Sequence, residues 1–152
     1  MTLDFDVIDA RWNAIAGLEA IVRSAILATV AANDTRLVTV QLADDATVRA
    51  LNKEWRGQDK ATNVLSFPAA HLTGLPDDEQ QPLGDIVLAY ETVVAESRDA
   101  GKRPVDHVSH LLVHGVLHLM GYDHGNEQEA DLMEGRERDI LATLGIADPY
   151  LT

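Results

Sequence analysis

Apolar and polar positions alternate with period two at several places in this chain, and stretches of helical periodicity lie between them. Leu3, Phe5 and Val7 alternate with Asp4 and Asp6, the pattern of a half-buried strand. Residues 12–30 have the apolar density of a helix. Val38, Val40 and Leu42 alternate with Thr39 and Gln41 and predict a second strand. Asp44 or Asp45 can cap a helix running to about Trp55. The β-branched and aromatic residues 62–67 predict a third strand, closed by Pro68. Residues 69–82, with Gly74, Pro76 and three consecutive acids, are expected to form one long, mobile surface loop. A fourth strand is expected at residues 85–89, followed by a helix that Gly101 ends.

Pro104 suits the first position of the next helix, which is apolar almost all round apart from its histidines and should therefore be central and buried. Asn126 with Glu129 forms a capping box that opens a last helix, stopping at Gly145. Four strands and about five helices without a regular βαβ alternation predict an α+β fold, a four-stranded mixed sheet covered by helices. At 152 residues with 46% apolar content, the chain suits a single domain over 1–152. No repeat or low-complexity tract divides it.

The chain has no cysteine, so any metal must be held by nitrogen and oxygen. No basic start followed by an apolar core opens the sequence, and no apolar run approaches a membrane span, so a soluble cytoplasmic protein without a membrane partner is expected. The net charge of −13 argues against a general nucleic-acid binder, DNA included. Charge is uneven, however. Between Arg49 and Lys60 four cations, with Lys53 and Arg56 among them, face only Glu54 and Asp59, whereas the chain from Asp123 onward is strongly acidic.

The densest chemistry is the run HGVLHLMGYDH from His114 to His124. His114 and His118 are four apart and share one helix face; Gly121 can end the helix in a left-handed turn and return His124 to the pair. Three imidazoles leave one tetrahedral position open, the layout of a catalytic zinc site. The spacing equals that of the metzincin proteases, but the glutamate that serves them as general base is replaced by Gly115. A glycine within a helix costs about 1 kcal/mol against alanine, so a packing or access reason is expected for it. His107 and His110 read as core residues; His110, one turn before His114, is the competing third ligand, but three histidines on one helix spread over two turns and converge poorly.

This motif resembles the signature of the YbeY family of bacterial single-strand-specific metallo-endoribonucleases. The segment LNKEWRGQDKATNVLSFP over residues 51–68, LGDIVLA over 83–89 and the terminal GIADPY are similar to further blocks of that family, in the same order over nearly the whole chain. The resemblance implies one Zn2+ held by His114, His118 and His124, and a functional arginine at Arg56, whose planar guanidinium suits a phosphate. Ser66 and Asp85 fall in matching blocks; each is either a participant or an ordinary strand-end residue. Asp123 is either a support to the third ligand or a turn residue. The resemblance further implies action in 3′-end maturation of 16S rRNA and in ribosome quality control, with single-stranded rRNA as substrate and the small ribosomal subunit and the GTPase Era as partners. Whether water or the RNA 2′-hydroxyl attacks is open. Two alternatives stand beside this reading: a zinc hydrolase of another substrate, such as a peptidase drawing a base from Glu127 or Asp123, and a non-catalytic assembly factor.

Overall fold

In the computed structural model, which describes residues 2–30, 34, 36–69, 81–123 and 125–150, the alternating segments form the strands β1 (Thr2–Val7), β2 (Leu37–Ala43), β3 (Val64–Pro68) and β4 (Pro82–Ala89). They join in the order β1-β2-β4-β3. The first three in space are parallel and β3 runs antiparallel to β4, so the sheet is mixed as expected. Among the described residues five α-helices accompany it: α1 (Leu18–Thr29), α2 (Asp45–Arg56), α3 (Tyr90–Asp99), α4 (Pro104–Leu119) and α5 (Glu127–Thr143).

The two faces of the sheet carry different cores. On one, Val38, Val40, Leu42, Ile86 and Leu88 meet Val22 and Ile26 of α1, Leu112 and Val116 of α4, and Met133 and Leu141 of α5. On the other, α2 lays Val48 and Leu51 over Ala43, Leu65, Val87 and Ala89. Each large apolar side chain so buried contributes about 1.5–3 kcal/mol. α4 is buried on most of its circumference, through Val108, Leu111, Leu112, Val113, Val116 and Leu117, which makes it the spine of the larger core. Among the described residues no helix is long and apolar enough to cross a membrane.

The caps follow the sequence. Asp44 accepts the backbone N–H of Thr47 at 2.7 Å, Asn126 accepts that of Glu129 at 2.8 Å, and Pro104 opens α4. Three expectations change. Residues 12–30 are not one helix: a 3-10 turn over Ala10–Ala14 and a left-handed Gly17 (φ 70°) precede α1. Trp12 causes the break, because its indole N–H reaches the Ala43 carbonyl at 2.8 Å and ties the turn to the end of β2. β3 starts at Val64, not at Thr62. β4 starts at Pro82, where the loop was expected to end; a proline costs no ladder donor as the first residue of a strand. The rest of that loop, residues 70–80, lies outside the described residues.

Candidate metal centre

α4 carries His107, His110, His114 and His118 along one stripe, since residues three and four apart share a helix face. The last two converge. Their ring centroids are 4.7 Å apart and their Nε2 atoms face each other at 3.2 Å. A hydrogen bond explains such a contact only if one of the nitrogens carries a proton. Zn–N bonds of about 2.0–2.1 Å at the tetrahedral angle put two ligand nitrogens about 3.3–3.4 Å apart, so the observed separation is close to one edge of a zinc site.

The orientation of His114 is set from behind. Its Nδ1 donates to the carboxylate of Glu137 on α5, which is completely buried. In the neutral ring that contact places the proton on Nδ1 and the lone pair on Nε2, which is directed at His118. Carboxylate, histidine and metal in series is a recurrent support for zinc ligands. The second Glu137 oxygen accepts the Tyr150 hydroxyl, and His110 Nε2 lies 3.6 Å from it. Burial pushes the Glu137 carboxyl up, but the neighbouring His110 and the hydrogen bonds from His114 and Tyr150 outweigh this and hold it at about 2. Burial, followed by the hydrogen bond to Glu137 and then its charge, pushes the Tyr150 phenol well above its ordinary range, so it remains a donor. His110 is thus turned to the carboxylate, and His107 Nε2 pairs with Glu96 at 3.0 Å.

Beyond α4 the chain turns at Gly121 (φ 103°) and returns through Tyr122 and Asp123. His124 lies outside the described residues. Among those described, histidine and acidic side chains form no group of three suited to a metal. The donor set among the described residues is therefore the facing pair, followed in sequence by the histidine that the motif assigns as third member. This pair fits zinc in spacing, in donor type and in the carboxylate behind it.

The pair opens into a cleft of about 610 Å3. His114, His118, Tyr122 and Asp123 form one wall; Arg56, Asn63, Val64 and Ser66 line the other. Gly115 brings these walls together. A Cβ there would lie 3.1 Å from Ser66 Oγ and 3.2 Å from Ile86 Cδ1, tighter than ordinary contact, so α4 sits close upon β3 and β4. This is the packing reason expected for that glycine. Arg56 is the last residue of α2, on the far side of the sheet, and reaches the cleft around β3. Asn63 and Ala69 hydrogen bond to β4, so the alternate residues Val64 and Ser66 turn their backbone polar groups away from it. The Ser66 carbonyl accepts Arg56 Nη2 at 2.9 Å, and the guanidinium carbon stands 5.7 Å from the Phe67 ring centroid.

Four of the six expected site residues, Arg56, Ser66, His114 and His118, therefore line one cleft. Ser66 serves it through its carbonyl and its close packing. Asp85 does not line it: exposed on β4, it alternates with Ile86 and faces away from α4. Lys53 and Lys60 are exposed and outside the lining, and Arg49 is paired with Asp59 at 2.8 Å. Sequence reasoning missed Glu137 and Tyr150. The signal for Glu137 was present, because it falls on the buried stripe Met133, Glu137, Ile140, Leu141 of α5, where a charge needs a partner.

Residues 8–145 match the family model described as endoribonuclease YbeY. This chain belongs to the YbeY family. It is 52% identical to a protein of Nitrobacter winogradskyi over 91% of this chain and 76% of that one, and 52% identical to one of Rhodospirillum rubrum over 97% and 80%. A protein of Azorhizobium caulinodans is 47% identical over 99% and 96%. All three bear the name endoribonuclease YbeY. The solution structure of TM1509 from Thermotoga maritima has the same fold, with a TM-score of 0.55 over 99% of this chain and 100% of that one, at 19% identity.

Proposed function

We propose that this YbeY-family chain is a zinc-dependent endoribonuclease of single-stranded RNA, with His114, His118 and His124 as ligands and Arg56 as its phosphate-binding residue. The observation that carries this reading is the pair of facing Nε2 atoms at 3.2 Å in a cleft whose opposite wall offers a guanidinium. When bound, zinc supplies a Lewis acid that polarises a phosphoryl oxygen and lowers the pKa of water toward about 7. The chain's own residues do the remainder. His114 and His118 hold the ion at one fixed point. Arg56, tethered to Ser66 through one N–H, keeps further donors for the phosphate and offsets the charge that develops on it.

The cellular substrate in this proposal is the 3′ precursor end of 16S rRNA on the small ribosomal subunit, with Era as a further partner and ribosome quality control as a second task. The net charge of −13 supports dependence on a docking partner, since Arg56 alone gives little affinity for bulk RNA. Cleavage of naked RNA should then lose rate only shallowly with added salt. A slope implying many phosphate contacts contradicts the docking model.

The test is incubation of the zinc-loaded protein with single-stranded RNA ending in that precursor, beside His114→Ala and Arg56→Glu. Cleavage by the wild type alone supports the reading. Absence of cleavage by all three proteins, each folded, on naked RNA and on small subunits alike, defeats it. Products ending in a 2′,3′-cyclic phosphate identify the RNA 2′-hydroxyl as nucleophile; a free 2′-hydroxyl at the cut identifies water.

A further inference from the structure

Glu137 is the one fully buried charged side chain among the described residues. It lies on the apolar stripe of α5 between Met133 and Ile140, where a methionine or leucine would fill the space without removing a charge from water. A carboxylate at such a place is explained by its contacts. One oxygen accepts His114 Nδ1 and the other accepts the Tyr150 hydroxyl. Tyr150 comes from the segment beyond α5, where its own backbone N–H donates to Asp148 at 2.8 Å and Arg138 stands 3.8 Å from Asp148.

We infer that Glu137 and Tyr150 are a positioning pair for metal capture: the tyrosine fixes the carboxylate, and the carboxylate fixes the tautomer and ring plane of His114. This rests on the zinc reading proposed above. With both oxygens engaged by donors on different elements, the carboxylate cannot rotate. In the neutral His114 ring the proton then sits on Nδ1, and the lone pair of Nε2 is aimed at the point that His118 Nε2 also faces. The segment carrying Tyr150 thereby becomes part of the metal site without touching the metal or the substrate.

The test compares wild type with Glu137→Gln, Glu137→Met and Tyr150→Phe, measuring zinc affinity by competition with a chromogenic chelator. Loss of such a supporting partner typically weakens metal affinity by about 10–100-fold, and we expect that range for both Glu137 variants and a smaller loss for Tyr150→Phe. Glu137→Gln, which keeps the size and shape of the side chain, should lose affinity at a melting temperature near that of the wild type, which a purely structural role does not produce. Nitrogen-15 spectra of the metal-free wild type should show His114 protonated at Nδ1, with a mixture of tautomers in Glu137→Met. Variants that fold and bind zinc as tightly as the wild type overturn the inference and leave the zinc reading intact. A folded wild type that binds no zinc overturns both. Tyr150→Phe keeps the question answerable if neither Glu137 variant folds.

Discussion

His114 and Arg56 face each other across one cleft, and the chain holds them in opposite ways. The histidine is half-buried, its outer nitrogen opposite His118 and its inner nitrogen engaged by a carboxylate that is itself engaged by Tyr150. The arginine sits exposed at the end of an amphipathic helix and is tied to the strand by one hydrogen bond to the Ser66 carbonyl. Fixed geometry suits a site that must hold a small ion at one point. A long side chain with spare donors suits a phosphate whose shape and charge change along the reaction. The contrast also separates two kinds of failure, loss of chemistry with the fold intact and loss of the fold itself.

The strongest test of that separation is Arg56→Ala. In the role proposed for it Arg56 stabilises developing charge, and its removal should slow cleavage by about 10²–10³-fold. As an exposed position it should change stability by no more than about 0.5 kcal/mol. Rate and urea midpoint measured on the same preparation check both halves; an equal loss in each would erase the contrast between the walls. Gly115→Val acts from the other side. Its methyls must enter the space of Ser66 and Ile86, and overpacking of that kind costs about 1–3 kcal/mol, read as a lower urea midpoint with an unchanged slope.

Asp44→Ala tests the helix that carries Arg56 and should cost about 1 kcal/mol. The Thr47 side chain, followed by the hydrogen bond from the Thr47 N–H, holds the Asp44 carboxyl below its ordinary value of 3.8. A depressed folded pKa stabilises above the unfolded pKa, and that stabilisation is lost as pH falls through the folded value. The difference between wild type and variant should therefore be full at neutral pH and shrink below about pH 4. A difference that grew on acidification would refute the cap. The smallest effect belongs to Asp85→Asn. Facing away from α4, this residue should leave cleavage of naked RNA at the wild-type rate, and a large loss would mean that the cleft extends to the other face of the sheet.

What could be read in advance divides along similar physical lines. Strand alternation at Leu3, Phe5 and Val7, the caps at Asp44 and Asn126, and Pro104 at the head of α4 are local, and each appears where the residues ask for it. The spacing of His114 and His118 is local too, because a helix converts a separation of four into contact. The break before α1 was not legible, since it depends on Trp12 finding the carbonyl of Ala43, thirty-one residues on. Glu137 was hidden among the many acids of α5, for periodicity reveals a stripe but not which helix will lie against it. Arg56 and Ser66 come together only because α2 ends beside the outer edge of β3, and that is a property of strand order.

The close seat of α4 at Gly115 has a historical meaning as well. The metzincin spacing and the present one differ by a single residue after the first histidine, and on paper one substitution would supply the missing base. That route carries a packing cost here. A side chain at 115 would place its Cβ 3.1 Å from Ser66 Oγ and 3.2 Å from Ile86 Cδ1, so both neighbours would have to give by a few tenths of an ångström. Two motifs that look adjacent as strings of letters are thus set apart, in this fold, by the tightness of one helix seat.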